Sequence, residues 1–94
     1  MPTACINTPG CKVRLVSERL EVHGRDESGQ NTVLRVIPIR DLDRLIAVES
    51  THFTGDALAA LLRADIPVSL IAWDGRFLGS FHPALRAHAA WRLR

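Results

Sequence analysis

The chain has 94 residues, 47% of them hydrophobic and 23% charged, with six Gly and five Pro. A chain of this size forms one domain and buries roughly 60–65% of the surface that its unfolded form exposes. The composition argues against disorder and collagen-like structure, and no apolar run approaches the ~20 residues of a membrane-spanning helix. Met1-Pro2-Thr3-Ala4-Cys5 has neither a basic start nor an apolar segment, so the expectation is a soluble, cytoplasmic chain with no secretory signal and no membrane partner.

The formal net charge is +2, and its distribution matters more than its sum. After Phe81 come three arginines (Arg86, Arg92, Arg94) and no acid, whereas residues 1–81 hold nine Lys and Arg against ten Asp and Glu, a formal charge of −1. The electrostatic footprint expected of a phosphate binder therefore belongs to the tail and not to the body. Cys5 and Cys11 read as reduced thiols, because a chain without an export signal gives little reason for a disulfide. A zinc site would need two further ligands, and His23, His52, His82 and His88 show no paired spacing.

In chain order, residues 1–10 carry turn signals, notably Asn7-Thr8-Pro9-Gly10, around one apolar residue, Ile6. From Lys12 the pattern alternates, and Val13, Leu15, Leu20 and Val22 flank a Ser17-Glu18 turn as in a hairpin. Gly24 to Asn31 is polar and reads as a loop. Thr32 to Ile37 is a strand that Pro38 ends or places at a sheet edge. After the polar Arg40-Asp41-Leu42-Asp43, Leu45-Ile46-Ala47-Val48 is another strand.

Thr54-Gly55-Asp56 opens a helix, with Thr54 as the cap and Asp56 in the positive first turn. Ala57, Leu58, Leu61 and Leu62 make its apolar stripe, and Pro67 stops it near Asp65. Val68 to Trp73 is apolar enough for a central strand, with Trp73 assigned to core or interface. Asp74-Gly75 signals a two-residue hairpin turn returning through Arg76 to Phe81. From Pro83 the tail reads as the start of a second helix. The expected fold class is α+β, mainly β: small antiparallel hairpin sheets, sandwich-like, with one covering helix from about residue 54 to 64 and a C-terminal tail helix. The expected core includes Leu20, Val36, Leu45, Leu58, Leu61, Leu62, Val68, Leu70, Ile71 and Phe77.

No reaction centre emerges from these residues. Cys11 with a histidine lacks an orienting third group. Asp41 and Asp43, between Arg40 and Arg44, read as a solvated ion-pair cluster and not as a general acid and base. The glycines form no phosphate-cradling loop. No catalytic residue and no metal ligand is therefore assigned.

The order of several segments carries more. Ser17-Glu18-Arg19-Leu20-Glu21-Val22, Val36-Ile37-Pro38-Ile39-Arg40-Asp41-Leu42-Asp43-Arg44-Leu45, Thr54-Gly55-Asp56-Ala57-Leu58, Ile66-Pro67-Val68-Ser69 and Asp74-Gly75-Arg76-Phe77-Leu78-Gly79 together resemble the N-terminal β domain of the Cas-one family. These are the CRISPR-associated integrases, also described as endonucleases, that insert new spacers. The resemblance runs from Thr8 to Pro83. It departs from the family where an aromatic often precedes the first-turn glycine (here Pro9-Gly10) and where the helix commonly ends in glycine (here Asp65).

The resemblance implies residues 1–82 as the N-terminal β domain and 83–94 as the start of a linker helix. The acid and histidine residues that bind magnesium or manganese in the family lie in a following helical domain, so no cofactor is assigned to this chain and no nuclease activity is expected of it alone. The chain then reads as a fragment or a truncated reading frame. The implied role is homodimerisation and positioning of double-stranded DNA within a larger enzyme that works with a Cas-two partner. The alternative is a stand-alone protein-interaction module of the same fold. Any DNA contact that persists here is assigned to Arg86, Arg92 and Arg94, with Trp91 available for base stacking.

Overall fold

In a computed structural model, the described residues 3–84 form eight strands, a 3-10 turn and one α-helix. In chain order these are β1 (Thr3–Ile6), β2 (Lys12–Val16), β3 (Arg19–Arg25), β4 (Asn31–Pro38), the 3-10 turn (Ile39–Asp41), β5 (Arg44–Val48), β6 (His52–Phe53), α1 (Gly55–Arg63), β7 (Val68–Ile71) and β8 (Phe77–Phe81). They make two four-stranded sheets, one in the order β1-β5-β7-β8 and the other β4-β3-β2-β6. The expected α+β, mainly-β architecture with one helix is present.

The sheets are mixed, however, and not wholly antiparallel. β5 and β7 run parallel because α1 lies in the crossover between them, the connection that parallel neighbours require. β1 also joins β5 in parallel, from Thr3 opposite Arg44 to Ile6 opposite Ala47. The tail helix expected from Pro83 onward falls almost entirely on residues outside those described.

Alternation builds the core. Val13 and Val22 face each other across the β2–β3 ladder and are buried, as are Leu20, Leu45 and Val68. Ala57 and Leu61 bring one stripe of α1 onto this cluster, with Leu58 and Leu70 packed half-buried at its border. Of the expected core, Leu62 and Ile71 are only half-buried and are not part of the cluster, and Val36 and Phe77 lie outside it, 49% and 66% exposed. Val36 and Phe77 each sit on a strand at the edge of its sheet, and on β4 it is Ile37, one residue along, that turns inward.

The helix follows the expected capping chemistry. The Ala57 amide donates to Thr54 Oγ1 at 3.3 Å, and the Thr54 hydroxyl donates to the Asp56 carboxylate at 2.6 Å. At the other end the Ile66 amide bonds the Leu61 carbonyl at 2.9 Å and the Asp65 amide that of Leu62 at 3.1 Å. That pattern is the Schellman motif, with Asp65 in the left-handed region at φ 61°.

Two hairpins share one type of turn, and at Asp74-Gly75 it is one residue longer than the expected two-residue turn. Gly75 N–H bonds the Ala72 carbonyl at 2.9 Å, and Ala72 N–H bonds the Arg76 carbonyl at 2.7 Å. The loop thus has three residues, with Gly75 in the left-handed position at φ 92°. Trp73 stands at the apex, 84% exposed and out of the core. Asp26 to Gln30 repeats the arrangement, with the Asp26 carboxylate accepting from the Ser28 amide, the Ser28 hydroxyl and the Gln30 amide. The stretch read as a loop is therefore the tight turn of a third hairpin, and Gly24 and Arg25 belong to β3.

Removing Leu61, fully buried, is expected to cost about 2–5 kcal/mol as Leu61→Ala. Ser17, at φ 57° in the β2–β3 turn, occupies a conformation that costs an L-residue strain, so Ser17→Gly should gain up to about 1 kcal/mol. Urea midpoints of the two variants should move in opposite directions. Bonding to the Ser28 hydroxyl, then to the Gln30 amide, holds the Asp26 carboxyl below its ordinary range. A depressed folded pKa gives stability that is present at neutral pH and lost as pH falls through that pKa. Asp26→Ala should therefore lower the melting temperature at pH 7 and leave a shallower decline in acid.

Candidate interaction surfaces

The alternation that buries Val13, Leu20 and Val22 sends Lys12 and Arg14 of β2, and Arg19, Glu21, His23 and Arg25 of β3, to the opposite face. Four cations meet one carboxylate there. Glu21 is held by His23 Nε2 at 3.1 Å and reached by Arg19 at 4.0 Å, while Arg25 turns to the Gly29 carbonyl at 2.9 Å. Lys12 and Arg14 are exposed and make no ion pair within 4 Å among the described residues. Val33 and Val36 of β4 extend this face with apolar surface, 42% and 49% exposed.

The second surface is apolar. β8 is the last strand of its sheet, so one row of its backbone groups is unpaired in the sheet. Phe77, Leu78 and Phe81 on it are all exposed, and Trp73 stands on the adjoining turn. Glu49 Oε2 accepts from the Trp73 amide at 3.1 Å, and Arg76 pairs with Asp74 at 3.1 Å. These bonds fix the turn and leave the aromatic rings free.

The residues singled out in the sequence fall unevenly on these surfaces. Arg86, Trp91, Arg92 and Arg94, the assigned DNA contacts, lie outside the described residues. Asp41 and Asp43 make no ion pair with Arg40 or Arg44. The cationic face was missed because the net −1 of the body sums acids and bases that the strands separate. Its signal was the alternation of Lys12 and Arg14 with Val13 and Leu15. Among the described residues, no group of three His, Cys, Asp or Glu could hold a metal ion. No described helix is long and apolar enough to cross a membrane.

The chain matches the family model of CRISPR associated protein Cas1 over residues 4–94. It belongs to the Cas1 family. A partial Cas6-RT-Cas1–Cas2 complex has a chain with the same fold at a TM-score of 0.75 and 18% identity, over 94% of this chain and 25% of that one. A CAS1 protein from Thermotoga maritima matches at 0.71 and 18%, over 89% and 25%. A casposase bound to an integration product matches at 0.66 and 21%, over 99% and 28%. The chain thus spans about a quarter of the length of these Cas1-like structures. No curated protein sequence matches it. Family membership places it in the CRISPR system, in the context of spacer acquisition.

Both cysteines are free, Cys5 exposed on β1 and Cys11 buried. Burial pushes the Cys11 thiol up, which lowers its thiolate fraction at neutral pH. Pulsed alkylation read by mass spectrometry should label Cys5 quickly and Cys11 only as fast as the domain opens.

Proposed function

We propose that this chain supplies the N-terminal dimerisation and DNA-positioning domain of a CRISPR spacer-acquisition integrase, acting by binding and not by catalysis. The observation that carries the reading is the open β8 edge. An uncovered apolar edge invites pairing with another chain. In a homodimer the same patch meets itself across a two-fold axis. Phe77, Leu78 and Phe81 give that patch its apolar content, and no lysine or proline on β8 opposes the pairing.

DNA positioning draws support from charge. We assign phosphate contact to Lys12 and Arg14, exposed on the outer face of β2, and to Arg86, Arg92 and Arg94 of the sequence that follows β8. Each phosphate neutralised releases roughly one counterion. Similar solved structures include a Cas1–Cas2 complex, a casposase with its integration product and a Cas1–DNA complex. They support a Cas2-type partner and DNA as ligands of the complete enzyme, and we take that DNA to be double-stranded. Phosphodiester chemistry with magnesium or manganese would belong to residues beyond this domain.

Sedimentation should give a dimer at roughly tens of micromolar, the range of a modest interface, and Phe77→Lys with Leu78→Lys should return a monomer. A monomeric native chain would overturn the dimerisation role. Duplex binding measured against salt should lose about one unit of slope for each phosphate contact removed. Two variants divide the contacts: glutamine at 86, 92 and 94, and Lys12→Gln with Arg14→Gln. Unchanged slopes in both would remove the DNA-positioning role.

A further inference from the structure

The turn of the β2–β3 hairpin, the 3-10 turn and the C-terminal half of α1 enclose an open cleft of about 790 Å³. That volume lies within the ~300–1,000 Å³ of clefts that hold ligands. Its composition has two parts. Leu15 and Ile39, both half-buried against the core, meet Ala60 of α1 and Ala64 at its C-cap to make an aliphatic floor. Ala60 and Ala64 are four residues apart, so they share one helix face, and their small side chains keep that face low.

The rim is cationic. Arg40 and Arg63 border the cleft, both exposed, and neither makes an ion pair within 4 Å among the described residues. Arg19 lies at the lip, with its guanidinium 4.0 Å from Glu21. Glu18 is the one carboxylate lining the cleft. Arg63 also offsets the partial negative charge that the end of α1 directs there.

We propose that this cleft is a docking groove for a partner protein, taking a peptide segment whose acidic side chains alternate with aliphatic ones. Charge complementarity selects the acids, since Arg40 and Arg63 present planar donors suited to carboxylates. The floor selects the aliphatic side chains. The same features argue against nucleic acid as the occupant. Among the described residues the cleft has no aromatic ring for a base to stack on, and the Glu18 carboxylate accepts hydrogen bonds that a peptide N–H can donate and a phosphodiester cannot. The groove lies apart from the β8 edge, so the proposal does not rest on dimerisation.

The test is fluorescence anisotropy with the full chain and a short fluorescein-labelled peptide of alternating glutamate and leucine. Saturable binding is expected, weakened about tenfold or more by Arg40→Glu with Arg63→Glu. Ala60→Phe, which fills the floor and leaves the charges, should weaken it comparably. A peptide with glutamine in place of glutamate should bind about tenfold more weakly. Arg63→Gln alone should give a smaller loss, which keeps the test open if the double reversal does not fold. Absence of saturable binding, equal binding of the glutamine peptide, or indifference to the arginine variants would overturn the proposal. A tenfold gain on removing residues 85–94 would show the chain's own tail to be the occupant, against it. Displacement by duplex DNA with the same dependence on Arg40 and Arg63 would reassign the groove to nucleic acid, also against it.

Discussion

Val13 and Val22 face each other across the β2–β3 ladder, both buried, and that pairing sets the register on which the rest of the molecule depends. A slip of one residue would turn Lys12, Arg14, Glu21 and His23 toward the core and Val13, Leu20 and Val22 toward solvent. Burying several charges without partners costs far more than a domain of this size can offset. The register is therefore fixed by the penalty on its alternatives as much as by the burial it achieves. The cationic outer face follows without further design. It is the other side of the same alternation.

The two outer strands with large exposed side chains are treated differently. On β4 a bulge at Leu34 breaks the ladder between Val22 and His23 and brings Leu34 and Arg35 to the core side together. Leu34 lies over Gly24, where a Cβ would stand 2.5 Å from Leu34 Cδ1 and 3.2 Å from Cys11 Sγ. Any larger residue at 24 would have to displace the end of the exposed Leu34 side chain and crowd Cys11 Sγ. Arg35 reaches across to the other sheet and donates to the Cys5 carbonyl of β1 at 3.1 Å. Bulge, bridging arginine and Pro38 blunt that side of the sandwich. β8 has a bulge as well, between the partners of Leu70 and Ile71, but among the described residues no side-chain hydrogen bond or ion pair ties it to the other sheet. Among the described residues the sandwich is thus blunted on one side and left apolar on the other.

Elements whose determinants are local were legible in the sequence. Thr54, Asp56 and the Ala57-Leu61 stripe announce α1, the turn around Ser17 announces the first hairpin, and Pro38 marks an edge. What escaped depends on distant or compensating features. β1 holds only two inward apolar residues, Ala4 and Ile6, and its partner begins at Arg44, so nothing within Thr3–Ile6 identifies a strand. Trp73 was assigned by its apolar neighbours, but Gly75 places the turn one residue earlier than Asp74-Gly75 alone would. Val36 and Phe77 were assigned by hydrophobicity, which carries no information about which face an edge strand presents. The cationic face was legible in principle, since it needs only the alternation already used for the core. Summing charge along the chain hid it.

The placement of these surfaces has a consequence for how the domain can be used. The β8 edge belongs to one sheet and the Lys12–Arg14 face to the other, so a contact made through β8 leaves those cations in solvent. Apolar association is insensitive to salt in the range where phosphate contacts weaken steeply. A dimer joined through β8 would persist while its grip on a polyanion was tuned by ionic strength. Arg19 stands between the two surfaces, at the lip of the aliphatic cleft and on the cationic face, and Glu21 lies 4.0 Å from its guanidinium. A carboxylate entering the cleft would compete with Glu21 for that guanidinium and return negative charge to the outer face. An acidic partner in the groove and a duplex on the sheet would then oppose each other through one side chain, by an amount that substituting Arg19 alone would remove.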